Sequence, residues 1–198
     1  MTRSARRRRH RLGLVLGLVA VAVIIMVSMP LARRAVNDLG LPLRYAATIR
    51  AQAAQKHLDP ALVAAVIYAE TKFDPRTSPA GAEGPMQLEP ATALFLAQRS
   101  GGTLFHTADL NHPATNIAYG SYYLRYLLNE YHGSEVLALA AYNGGETNVD
   151  GWEAGARAHG HTLRISEIPF PQTRAYVAKV LGAQRAYRRV YARQLGYG

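Results

Sequence analysis

The sequence predicts an all-α domain behind one N-terminal apolar segment. Three observations carry that expectation. Apolar residues recur at helical spacing, as in Leu43, Ala46, Ala47, Ile49, Ala53 and Ala54. Proline or a capping residue stands at the start of segment after segment, with glycine at the ends. No stretch alternates apolar and polar residues with the period of a half-buried strand.

Read in order, residues 1–11 form a basic tail and Leu12 to Met29 is an uninterrupted run of eighteen apolar or small residues. At about 1.5 Å per residue the run covers roughly 27 Å, enough for a bilayer core. Residues 12–32 are therefore expected to be a single transmembrane anchor, with a cleaved leader as the alternative. Arginines precede the run, which puts the tail in the cytoplasm and all that follows outside. Residues 33–41 are a juxtamembrane linker and 42–198 the folded domain.

Within that domain a helix is expected from Leu43 to Lys56. Asp59-Pro60, an N-cap followed by proline, opens a second that runs to about Lys72. Pro90 opens a third, stopped by Gly101-Gly102, and Pro113 a long fourth ending near Gly133. Ser134 caps Glu135 to Tyr142, which Gly144-Gly145 closes. Residues 145–172 read as loop, and a last helix as Thr173 to Gln194.

The formal charge of +10 is localised. Eight arginines and no acid lie before residue 35, and the remainder holds 15 basic against 13 acidic residues. A nearly neutral domain argues against nucleic acid as a partner. Cysteine is absent, which excludes disulfides, a zinc–thiolate site, a cysteine nucleophile and a lipid-modified cysteine. His159 and His161 make a His-x-His pair without a nearby third ligand; with His106 and His112 they read as loop residues, so no metal and no cofactor is expected.

Chemistry points to Glu70. It lies four residues from Val66 and three from Ile67 and Phe73, on the apolar stripe of its helix. Burial there disfavours the carboxylate and raises the pKa toward a range useful for a general acid. Spacing alone favours a side chain turned to solvent at the helix end. Asp74, Glu83 and Glu89 read as loop or cap acids.

The motifs around Glu70 narrow the choice. Glu70-Thr71 is followed by Phe73-Asp74-Pro75, then by Ser78-Pro79-Ala80-Gly81-Ala82-Glu83-Gly84-Pro85-Met86-Gln87 and Pro90-Ala91-Thr92-Ala93. Further on come Asn116-Ile117-Ala118-Tyr119-Gly120, Ala141-Tyr142-Asn143-Gly144-Gly145 and Pro171-Gln172-Thr173-Arg174-Ala175-Tyr176-Val177. In order and spacing, residues 42–190 resemble the lytic transglycosylase family of goose-lysozyme-like domains. Pro85 stands where a leucine is usual, Gln172 where glutamate is common, and the Pro75–Ser78 link is one residue short.

The resemblance implies a lysozyme-like fold. It implies an enzyme acting on peptidoglycan glycan strands at the bond between N-acetylmuramic acid and N-acetylglucosamine. Glu70 would act as acid and then base, yielding a 1,6-anhydro sugar. Tyr142 would hydrogen-bond and orient Glu70, and Asn143 would meet the acetamido group or the loop. Ser78, Met86 and Gln87 would line the sugar groove, with Tyr176 a further groove residue. Tyr119, Tyr122, Tyr123 and Tyr126 share a helix face and are expected to form a buried seam. The alternatives are a hydrolytic muramidase of the same fold and a non-catalytic glycan-binding scaffold among other cell-wall machinery.

Overall fold

The computed structural model describes residues 40–101 and 104–197, and the chain from Leu41 onward forms one compact unit. The expected tail, anchor and most of the linker lie outside the described residues, as does Gly102. Among the described residues, no helix is long and apolar enough to cross a membrane.

Helix α1 spans Ala46–Gln55, α2 Pro60–Thr71 and α3 Pro90–Ser100. After a 3-10 turn at Thr107–Asn111 come α4 (Pro113–Glu130), α5 (Glu135–Gly144) and α6 (Glu146–Ala158). A second 3-10 turn, Ile165–Glu167, leads to α7 (Pro171–Val190) and the short α8 (Ala192–Leu195). The only β-pairing among the described residues is an isolated bridge between Glu83 and Leu88. The all-α expectation holds.

Sequence chemistry sets the helix starts. Asp59 accepts from the Ala61 amide at 3.0 Å and Pro60 takes the first position of α2. Ser134 accepts from the Leu137 amide to open α5. Two expectations need correction. The segment read as loop contains α6, whose buried Val149, Glu153 and Ala156 recur at i, i+4 and i+7. Gly151 and Gly155 suggested a break, yet both sit inside the helix, where glycine costs about 1 kcal/mol and packing outweighs it. The last long helix ends at Val190, short of Gln194.

At the centre lies α2. Every residue from Ala61 to Ile67 is buried, so this helix is apolar on all sides and not along one stripe. Each fully buried aliphatic side chain contributes roughly 1.5–3 kcal/mol. The longest helix among the described residues, α7, packs along α2, with α1 and α5 also in the core. The N-terminal end of α2 is fastened to α7 through Asp59. Its carboxylate accepts from Gln184 at 2.8 Å and meets Arg188 and the Tyr197 hydroxyl. Tyr187 and Tyr191 donate to the carbonyls of Pro42 and Leu41, each at 2.6 Å. These bonds leave the other end of α2, with Glu70, facing away from the fastening.

Candidate active site

Beyond Glu70 the chain turns sharply: Lys72 and Phe73 both adopt left-handed backbone, with φ of 53° and 64°. Thr71, buried, donates its hydroxyl to the Pro85 carbonyl at 2.9 Å, which stitches the end of α2 to the following loop. That loop closes through Glu83 and Leu88, whose main chains exchange bonds of 2.9 and 3.0 Å.

Asn116 of α4, wholly buried, ties the loop to the first 3-10 turn by three bonds. Its amide nitrogen donates to the carbonyls of Glu83 (2.7 Å) and Leu110 (3.1 Å), and its oxygen accepts from the Met86 amide at 2.9 Å. Gly84 must be glycine here, with φ +72° and Asn116 and the Leu110 carbonyl where a Cβ would project. Gly120 is equally constrained, because Met86 fills the space beside it.

The result is a groove of about 510 Å³ between this loop, α3, α5 and the start of α7. Glu70 lies in its wall, half-buried. Burial pushes its pKa up to about 7; Tyr176 and Lys179 oppose that shift and do not cancel it. The Tyr176 hydroxyl is itself buried and makes no hydrogen bond of ordinary geometry to any described residue. Its action falls on Glu70, and the two raise and lower one another's pKa. Lys179 donates to the Ala69 carbonyl at 2.7 Å and lies over the Tyr68 ring. A carboxyl that holds its proton near neutrality, with an unused hydroxyl against it, is suited to give a proton and take one back.

The structure brings Ser78, Gln87, Tyr142 and Asn143 to this groove with Glu70. Ser78 accepts from the Ala82 amide at 3.0 Å, and Gln87 donates to the Arg76 and Gly84 carbonyls. The Asn143 oxygen accepts from the Thr173 hydroxyl at 2.9 Å, leaving the donor end of that carboxamide for a ligand.

Four expectations are corrected. Met86 is fully buried and does not line the groove; its side chain packs at Gly120, and its carbonyl accepts the Tyr142 hydroxyl at 2.9 Å. The single proton of Tyr142 is thereby committed, so Tyr142 does not donate to Glu70 and the hydroxyl acting on that carboxyl belongs to Tyr176. Tyr176 in turn is 8% exposed and sits behind the wall, not on its surface. The tyrosines of α4 are half-buried, not a sealed seam, and Tyr123 lines the groove. Sequence reasoning also missed Glu89, Thr92 and Gln172 as groove residues. The match at Pro90-Ala91-Thr92-Ala93 was the available signal for Thr92. Glu89 occupies the N-cap position of α3 but makes no capping bond, and that idle carboxylate could not be read from spacing.

With this geometry in hand, likeness to known proteins has a physical counterpart. Residues 47–165 match the family model described as the transglycosylase SLT domain. The soluble lytic murein transglycosylase of Escherichia coli K12 is 30% identical over 150 residues, covering 74% of this chain and 23% of that protein. A transglycosylase of Enterobacteria phage PRD1 is 37% identical over 150 residues, covering 72% of this chain and 52% of that one. An inactive glutamate-to-glutamine mutant of lytic transglycosylase Slt from Pseudomonas aeruginosa superposes with a TM-score of 0.68 at 31% identity, covering 77% and 25% of the chains. A soluble lytic transglycosylase solved with bulgecin A gives 0.70 at 28%, covering 76% and 25%. This chain thus spans about a quarter of the bacterial relatives it matches. The family model covers more than half of the chain, including the Glu70 helix, the loop pinned by Asn116 and the Tyr142-Asn143 turn, so the chain belongs to the transglycosylase SLT domain family.

Proposed function

We propose that this protein is a peptidoglycan lytic transglycosylase that cleaves between N-acetylmuramic acid and N-acetylglucosamine with Glu70 as its acid and base. The observation that carries the reading is Glu70 itself, a carboxyl pushed up to about 7 by burial in the wall of an open groove. Protonated, it gives its proton to the glycosidic oxygen as the bond to C1 of the muramoyl sugar breaks. The substrate's own acetamido group stabilises the cation, in place of the second carboxylate of ordinary glycosidases. Ionised Glu70 then takes the C6 hydroxyl proton while that oxygen bonds to C1, and the 1,6-anhydro product leaves. Tyr176 supports the ionised stage, because a hydroxyl beside a carboxylate favours its charged form. The inactive glutamate variant of the Pseudomonas relative supports the dependence on one acid.

The test is digestion of purified sacculi followed by mass spectrometry. Anhydro-muropeptides that disappear with Glu70→Gln are the expected result; products heavier by one water overturn it. A specific observation favours the hydrolytic alternative enough to keep it: Glu89 lines the same groove with its carboxylate uncommitted to a cap. If Glu89 activates water, hydrated products appear and vanish with Glu89→Gln.

The place of action is also a proposal. On the composition of residues 12–32 we assign a membrane anchor with the domain on the outer face. Release of the protein from membranes by salt alone would refute it.

A further inference from the structure

We propose that the cleft between α3 and α4 continues the groove outward and ends in a subsite for a carboxylate, read by Arg99. The proposal rests on the peptidoglycan reading and names the part of that substrate the subsite takes: an acidic group of the stem peptide carried by the glycan strand.

The continuation follows from helix geometry. Thr92 and Tyr123 line the groove from α3 and α4, two helices packed side by side. One turn further, about 5 Å along each helix, stand Phe95 and Tyr126, and one more turn along α3 stands Arg99. The aromatic rings form a connected row. Tyr142 meets Tyr123 at 5.2 Å between ring centres, Tyr123 meets Tyr126 at 6.2 Å, and Tyr126 meets Phe95 edge-on at 5.7 Å. Phe95 is 42% exposed, so the row surfaces at its outer end.

Arg99 caps that end. Its guanidinium lies over Tyr126 at 5.0 Å and Phe95 at 5.9 Å. It makes no hydrogen bond or ion pair with any described residue. The Glu146 carboxylate feels the Arg99 charge but takes its hydrogen bond from the Tyr126 hydroxyl, at 3.2 Å. A guanidinium held by its face against two rings keeps its N–H edge free in a fixed plane, the arrangement that takes a carboxylate through two parallel hydrogen bonds. The groove proper is lined by the acids Glu70 and Glu89 and by no basic residue, whereas Arg99 puts a positive charge at the outer end of the aromatic row. A stem peptide hanging from a bound strand presents such carboxylates.

The experiment uses the full-length chain carrying Glu70→Gln, so that strands persist, and measures Kd by calorimetry. Three ligands are compared: strands with free stem-peptide carboxylates, the same strands amidated, and peptide-free strands. The expected result is about tenfold tighter binding of the free-carboxylate strands than of the amidated ones, the worth of one charge-assisted pair. Arg99→Gln brings that ratio to about one, and Arg99→Lys leaves it intermediate, because an ammonium keeps the charge without the fork. Equal binding of free and amidated strands, or a preference that survives Arg99→Gln, overturns the subsite alone. Failure of all three ligands to bind overturns the reading of the groove with it.

Discussion

Two glutamates taken from water, Glu70 in α2 and Glu153 in α6, have opposite fates. Burial pushes both toward the neutral acid. Glu153, 6% exposed, accepts from the Leu163 amide at 2.8 Å and from Arg157 at 2.7 Å, and its pKa ends below the ordinary value. Glu70 has no such bonds from amide or guanidinium, and its pKa ends near 7. Donors from the Leu163 amide and Arg157 are what bring Glu153 below the ordinary value, and Glu70 lacks any such pair to offset its burial.

The strongest way to break that contrast is Glu70→Gln. It removes the acid, and anhydro-muropeptide release is expected to fall by about a thousandfold. Stability should move the other way. The unfolded chain releases the Glu70 proton near 4.5 and the folded chain near 7, so the folded state binds more protons between those values. Folding stability therefore declines as pH rises through that window, and the loss is complete above it. At pH 8 the glutamine variant should be more stable by on the order of 2 kcal/mol in urea unfolding; an unchanged or lower stability would show that burial does not burden Glu70.

Glu153→Ala is the mirror experiment. It strands the buried Leu163 amide, so unfolding should become easier by roughly 1–3 kcal/mol while turnover stays within about twofold. Loss of activity without loss of stability would erase the distinction between the two acids. Tyr176→Phe sharpens it. Without that hydroxyl the ionised form of Glu70 is less favoured, so the decline of activity on the alkaline side moves to higher pH and turnover falls by about tenfold. The smallest effect is expected for Lys179→Met, which removes a more distant charge and shifts the same limb in the same direction by less. A shift toward acid pH in either variant contradicts the assignment of that limb to Glu70.

Much of this was legible in the sequence because it depends on local chemistry. Asp59-Pro60, Pro90, Pro113 and Ser134 mark helix starts through backbone geometry that needs no neighbour, whereas the last helix opens at Pro171, two residues before the expected Thr173. Ser78, Gln87, Tyr142 and Asn143, singled out with Glu70 by the motifs that carry the family resemblance, line one groove with it. What could not be read was the far side of each contact. Spacing puts Met86 and Tyr176 near the groove, but only packing shows that Gly120 admits the methionine and that α7 brings the tyrosine behind Glu70. Helix α6 was hidden because its glycines obey a tertiary demand against their local preference. The tyrosines of α4 are half-buried and not core, and aromaticity does not say which face another helix covers.

Asn116 has one more implication. Every bond it makes reaches main-chain atoms of the loop or of Leu110, and Thr71 likewise grips the carbonyl of Pro85. A ribbon gripped by its spine leaves most of its side chains out of the grip, which explains how proline is accommodated where the resemblance leads one to expect leucine: the anchoring uses the oxygen of residue 85 and never its nitrogen. Such a floor can be re-tiled by evolution, one decoration at a time, while the scaffold beneath stands still.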